Sequence, residues 1–236
     1  MTSTPESVHN EPPLEPMLRA ALSLACEGIP IFPCDPRTKQ PLTRHGFKDA
    51  TTDRAIIESW WSEYPDAMIG MPTGRITGVF VVDLDTKHDG PKHFAALCEQ
   101  HGGAPVTRTA TTPTLGSHLH YRYPEDRHIR NSAGKLGRGI DIRGEGGYII
   151  LPPSRRNDGA SYCWDIPDGE VSVADAPEWL LDEIDRRARL PTPPPVNGAA
   201  GSSWAQAALQ SELGRVLSAS ERERNDTLNR ASFALG

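Results

Sequence analysis

The amino-acid sequence predicts an α/β domain of the α+β kind, with mixed or antiparallel sheets flanked by helices. Three observations lead there. Stretches of helical apolar spacing are interspersed with short β-branched runs across residues 18–189. The longest apolar runs, such as 79–82 and 148–151, are strand-sized and far short of the roughly 20 residues a spanning helix needs. The 22 prolines and 21 glycines in 236 residues imply many turns between short elements. Length and a composition of 37% hydrophobic and 24% charged residues fit one main globular domain plus an appendage.

Residues 18–27 have helical spacing and stop at Gly28, a favourable helix-ending residue, after which 29–33 reads as a short strand. The loop 34–48 is irregular and basic, with Arg37, Lys39, Arg44 and Lys48. Thr52 or Asp53 can cap a second helix that runs through Ile57 and Trp61 and ends before Pro65. A strand over 67–71 leads into the turn Pro72-Thr73-Gly74, and 78–82 has the continuous apolar character of a central strand. Pro91 opens a short helix over 92–100 that Gly102-Gly103 closes. Strands are then expected at 107–111, 118–123, 139–143, 148–151 and 162–164, and Pro177 opens a helix over 178–189.

Residues 1–16 read as a flexible acidic tail without the basic or apolar regions of a targeting signal, so a cytoplasmic location is expected. The main domain is expected over 17–189. The Pro-, Gly- and Ser-rich stretch 190–203 reads as a linker, and 204–236 as a helical tail. Two helices cannot build a core alone, so the chain reads as a fragment leading to a further domain.

A formal charge of -6 argues against binding nucleic acid over the whole surface, yet 122–156 holds a local basic surplus. A solvated face and a phosphate-contacting patch both fit that surplus. Cys26, Cys34, Cys98 and Cys163 form no C-x-x-C pair, so they read as buried free thiols and not as a zinc or disulfide framework.

The residues that carry chemistry are few. Asp83 and Asp85 stand at the end of the apolar strand, where alternation with period 2 sends both carboxylates to one side. Hard divalent cations take carboxylate and phosphate oxygens, so such a pair suits phosphoryl transfer; it also suits an ordinary turn or a sugar-nucleotide transferase. Asp141, a third carboxylate, lies alone between Ile140 and Ile142 and faces away from whatever core those isoleucines enter, which suits either a site on that side or plain solvent. His118 follows Gly116 and Ser117, a cluster that can hold phosphate, although a histidine bonded within the sheet fits equally.

Together these pieces resemble the primase-polymerase domain of plasmid and phage replication proteins, a branch of the archaeo-eukaryotic primase superfamily. The resemblance rests on Val81-Val82-Asp83-Leu84-Asp85, Gly116-Ser117-His118 and Gly139-Ile140-Asp141, in that order. Supporting segments are Lys39-Gln40-Pro41-Leu42, Ile69-Gly70-Met71-Pro72-Thr73-Gly74 and Arg143-Gly144-Glu145-Gly146-Gly147-Tyr148. Two positions depart from the pattern: Leu115, where relatives often have glycine, and His120, where an aromatic residue is more usual.

The resemblance implies a DNA primase and DNA polymerase that transfers nucleotides from nucleoside triphosphates onto a primer or initiating nucleotide on single-stranded DNA. Asp83, Asp85 and Asp141 would hold two Mg²⁺ or Mn²⁺ ions, and His118 with Ser117 would bind the triphosphate. Lys48, Lys135 and Arg143 are candidate cationic partners. Residues 222–231 are similar to the stretch that leads toward a helicase in phage members, which implies a helicase domain in the full-length protein. Other readings stay open: a catalytically inactive nucleic-acid-binding module, or another Asp-x-Asp enzyme such as a sugar-nucleotide transferase or a nuclease.

Overall fold

A computed structural model describes residues 16–166 and 171–189, and the expected tail, linker and C-terminal helical segment lie outside the described residues except for Pro16. The helices are α1 (Pro16–Cys26), α2 (Arg54–Glu63), α3 (Gly90–His101) and α4 (Glu178–Arg189). The Asp53 carboxylate caps α2, accepting from the amides of Ala55 at 2.8 Å and Ile56 at 3.1 Å. Gly102 and Gly103 end α3 with left-handed φ of 84° and 102°, a conformation glycine adopts without steric cost.

A three-stranded antiparallel sheet has the order β1-β2-β8, from β1 (Phe32–Cys34), β2 (Met68–Pro72) and β8 (Tyr148–Ile150). The larger sheet uses β3 (Val79–Leu84), β4 (Thr109–Thr111), β5 (Ser117–Arg122), β6 (Ser132–Gly137), β7 (Ile140–Arg143), β9 (Cys163–Trp164) and β10 (Ala174–Asp175). Its order is β6-β7-β3-β5-β4-β9, with β10 parallel to β5. The first strand is therefore shorter than 29–33: Ile31 makes only an isolated bridge to Thr51. Strands β6 and β10 were not expected. The first is glycine-interrupted and irregular in register, and the second has two residues, so neither shows an apolar alternation.

Strand β3 is covered on both faces, which explains its continuous apolar run. Phe80, Val82 and Leu84 pack with Tyr121, Ile140 and Ile142 against Phe94 of α3 and Leu180, Leu181 and Ile184 of α4. Val81, on the other face, packs toward Ile69, Met71 and Ile149 of the small sheet region, with α1 and α2 behind it. The cysteines depart from expectation. Only Cys34 is buried, and burial, helped by Asp35, pushes its thiol up to about 12, whereas Cys26 and Cys163 are exposed. Among the described residues, no helix is long and apolar enough to cross a membrane.

Candidate active site

Register builds the site. On β3, Asp83 stands opposite Asp141 of β7 on one side and opposite His118 of β5 on the other. Directly opposed residues share a face, so Asp141, Asp83 and His118 form one row across three strands. Two residues along, Arg143, Val81 and His120 form the next row on that same face.

Arg143 ties the rows together. Its Nη2 donates to Asp83 Oδ2 at 2.9 Å and to Asp141 Oδ2 at 3.0 Å, while its Nε donates to Asp83 Oδ2 at 3.2 Å. The Gly134 amide donates to Asp141 Oδ1 at 2.9 Å, and His118 Nε2 lies 3.6 Å from Asp83 Oδ1. Both aspartates are half-buried and His118 is buried.

Burial, followed by repulsion from Arg143 and Lys39, pushes His118 down to about 3. His120 is also pushed down to about 3, again mainly by burial. His120 Nδ1 lies 3.1 Å from two carbonyl oxygens, those of Arg108 and His118, so this nitrogen carries the proton. Its Nε2, like His118 Nδ1, is buried without a hydrogen-bond partner.

Both imidazoles thus stay neutral in the folded protein down to about pH 3, whereas in the unfolded chain they take up protons near 6.5. Between those values the unfolded state binds more protons, so their contribution to stability is full above 6.5 and is lost as pH falls toward 3. The slope is about 1.4 kcal/mol per pH unit for each histidine. His120→Phe is expected to flatten the fall in unfolding free energy between pH 6.5 and 4.5, measured by urea titration. An unchanged slope would contradict the neutral assignment of His120.

Asp85 is placed differently from Asp83. Strand β3 ends at Leu84, and the Asp85 carboxylate caps the 3-10 turn Thr86–His88, accepting from the Lys87 amide at 2.9 Å with His88 Nδ1 at 3.3 Å. Strand alternation cannot be carried past the strand's last residue. Among the described residues, no group of three or more His, Cys, Asp or Glu side chains is arranged to hold a metal ion. The two row carboxylates do fit a hard cation, because a cationic nitrogen already bridges them.

The other expected nucleotide contacts are dispersed. Ser117 stands opposite Leu84, so it shares that residue's face and not the face of His118. Lys48 is exposed in the 3-10 turn Gly46–Asp49, and Lys135 is exposed on β6, beside the Gly134 that bonds Asp141. Arg143 alone of the three cations bonds the carboxylates of the row. Much of the basic stretch is committed elsewhere: Arg122 pairs with Asp175, Arg127 with Glu178, Asp182 and Asp185, and Arg156 with Asp158.

The structure instead brings up Lys39 and Tyr162. Lys39 Nζ lies 5.8 Å from the centroid of the Tyr162 ring, which is 5.9 Å from the His118 ring. Partial desolvation and then Arg156 hold the Lys39 ammonium below its usual range, with Arg143 and Lys87 adding to the effect and Asp83 opposing it. Three other cations, from three other segments, therefore act on Lys39 beside Asp83. Burial and then Asp83 push Tyr162 up to about 12. Lys39 and Arg156 belong to irregular loops, where no periodicity marks a side chain's direction; the basic character of 34–48 and of 122–156 is the available signal.

The turn before β5 explains one departure noted in the sequence. Leu115 has φ of 60° and is exposed, so the position is one that glycine favours. A Cβ on Gly116 would collide with the Leu84 carbonyl oxygen, so glycine is required for this turn to lie against the end of β3. Leu115→Gly is expected to change stability by no more than about 1 kcal/mol, because relieved strain offsets added chain entropy. Gly116→Ala should cost more, and thermal melts of both variants beside wild type check the order.

The structure is thus an α+β domain in which a carboxylate–carboxylate–histidine row crosses three neighbouring strands of the larger sheet. Residues 21–179 match the family described as bifunctional DNA primase/polymerase, N-terminal. That span exceeds half of the chain, and the chain belongs to this family. Membership indicates a nucleotidyltransferase whose substrates are DNA and nucleotides. A comparison with curated proteins finds no match.

Proposed function

We propose that this domain catalyses metal-dependent nucleotidyl transfer from nucleoside triphosphates onto a primer or initiating nucleotide paired to single-stranded DNA, in phage or plasmid replication. The observation that carries the reading is the row Asp141–Asp83–His118, with Arg143 bridging its two carboxylates. Asp83 and Asp141 would hold Mg²⁺ or Mn²⁺, with Asp85 one step beyond the strand as the further ligand for a second ion. Such ions lower the pKa of an attacking 3′ hydroxyl and offset charge on the phosphates and the leaving pyrophosphate.

The remaining work falls to the protein's own side chains. A neutral His118 can donate one hydrogen bond to a phosphate oxygen but adds no positive charge. Countering a tetra-anionic triphosphate therefore falls to Arg143 and Lys39, with Arg156 and Lys87 nearby. Template reading comes from base pairing, and contacts to the template backbone would weaken with salt. A helicase as partner and a cytoplasmic setting complete the proposal.

The test is incorporation of labelled nucleotide on a primed template, with Mg²⁺ or Mn²⁺ and with chelator. Template-dependent lengthening that stops on chelation supports the reading. Template binding without lengthening under either metal would favour an inactive nucleic-acid-binding module.

A further inference from the structure

We infer that Arg143 is an internal counter-ion that occupies the space between Asp83 and Asp141 until substrate draws it away, so that metal binding and nucleotide binding are coupled. This inference rests on the proposed metal-dependent reading and concerns the regulation of that same site.

The argument starts from the lone pairs. Asp83 Oδ2 accepts twice from Arg143, Asp141 Oδ2 accepts once from the same Nη2, and Asp141 Oδ1 accepts from the Gly134 amide. His118 Nε2 lies 3.6 Å from the other oxygen, Asp83 Oδ1. A cation that takes one oxygen from each aspartate on their shared side must therefore displace the guanidinium. Charge-assisted bonds of this kind are short and about twice as strong as neutral ones, and partial burial strengthens them further.

Displacing Arg143 without offering it another anion leaves a half-buried guanidinium unpaired. A polyphosphate supplies that anion, since the planar fork of arginine matches phosphate oxygens as well as carboxylate oxygens. Metal ions and nucleotide should thus favour each other's binding through Arg143, and by linkage the factor is the same in both directions. Lys39 also lies in the field of Asp83 but forms no ion pair with either carboxylate, so it provides a charge-matched control.

The experiment measures Mn²⁺ affinity of the 236-residue chain without nucleotide, by electron paramagnetic resonance, for wild type, Arg143→Gln and Lys39→Gln. We expect Arg143→Gln to bind Mn²⁺ at least tenfold more tightly than wild type and Lys39→Gln to differ from wild type by less than threefold. Equal affinity in Arg143→Gln and wild type would overturn the inference, as would an equal gain in Lys39→Gln, which would show a bulk charge effect.

A second readout needs no variant protein beyond that used for assignment. In wild type, the Arg143 Nε–H resonance, assigned by its absence in Arg143→Lys, should shift when Mg²⁺ and a non-hydrolysable nucleoside triphosphate are added together. An unmoved resonance at saturating ligand would overturn the inference. Failure of the underlying reading looks different: Arg143→Gln/Asp83→Asn would retain the Mn²⁺ affinity of Arg143→Gln, placing the ion away from these carboxylates.

Discussion

Asp83→Asn is expected to reduce nucleotide incorporation by about three orders of magnitude or more while leaving the fold in place. Asp83 is the middle member of the row and the only one opposed to both of the others. Asparagine keeps the shape and one acceptor oxygen for Arg143 but removes the charge that would hold a divalent ion. Two carboxylates at this spacing would be expected to repel, so that alanine would be harmless to stability. The bridging guanidinium changes that expectation: truncation removes an acceptor from half-buried Arg143, which makes asparagine the cleaner test. Arg143 keeps its bond to Asp141 in the variant, and a loss of about 1 kcal/mol or less is expected. Single-nucleotide extension beside a thermal melt checks both parts, and a folded variant with wild-type incorporation would remove Asp83 from the chemistry.

Gly90→Ala is expected to cost about 3 kcal/mol of unfolding free energy, near the upper end of ordinary single substitutions. A Cβ at Gly90 would collide with the Gly139 carbonyl oxygen and lie 2.8 Å from the Asp85 amide nitrogen and 2.9 Å from the Asp85 carbonyl oxygen. All three are backbone atoms, so no side chain can rotate aside to relieve the contact. The same crossing is tied by Asp85 N–H donating to the Gly139 carbonyl at 2.8 Å and Gly90 N–H donating to the Asp85 carbonyl at 2.9 Å. It joins the end of β3, the start of α3 and the start of β7, two residues from each row aspartate. Displacement here should therefore lower activity as well as stability. Urea unfolding within about 0.5 kcal/mol of wild type would contradict the close approach.

Much of this arrangement is legible from sequence where the chain is regular. The run Val79 to Val82 announces a strand covered on both sides, and period-2 alternation then places Asp141 away from the core of Ile140 and Ile142. Asp53 marks the start of α2 and Gly102 the end of α3 by capping chemistry. Legibility stops where alternation stops. Asp85 is two residues from Asp83, but the strand has ended and its carboxylate satisfies a local amide instead. Strand partners are not encoded by period at all, so neither the pairing of Asp83 with both Asp141 and His118 nor the separation of β1, β2 and β8 into their own sheet could be read in advance. Lys39 reaches Tyr162 from a loop turned by a left-handed residue and held by the Asp35 carboxylate, a geometry without a periodic signature. The ion pairs of Arg122 and Arg127 show the opposite limit: a basic stretch looked suited to phosphate, yet these two cations brace β10 and α4.

The most direct measurement compares wild type with Asp141→Asn in extension of a labelled primer on a single-stranded template, with Mn²⁺ present and both proteins shown to be folded. We expect lengthened, template-dependent product from wild type and none from the variant. Equal extension by the two proteins, or none by wild type with either metal and any nucleotide set, would contradict a nucleotidyl-transfer site built on the Asp141–Asp83–His118 row.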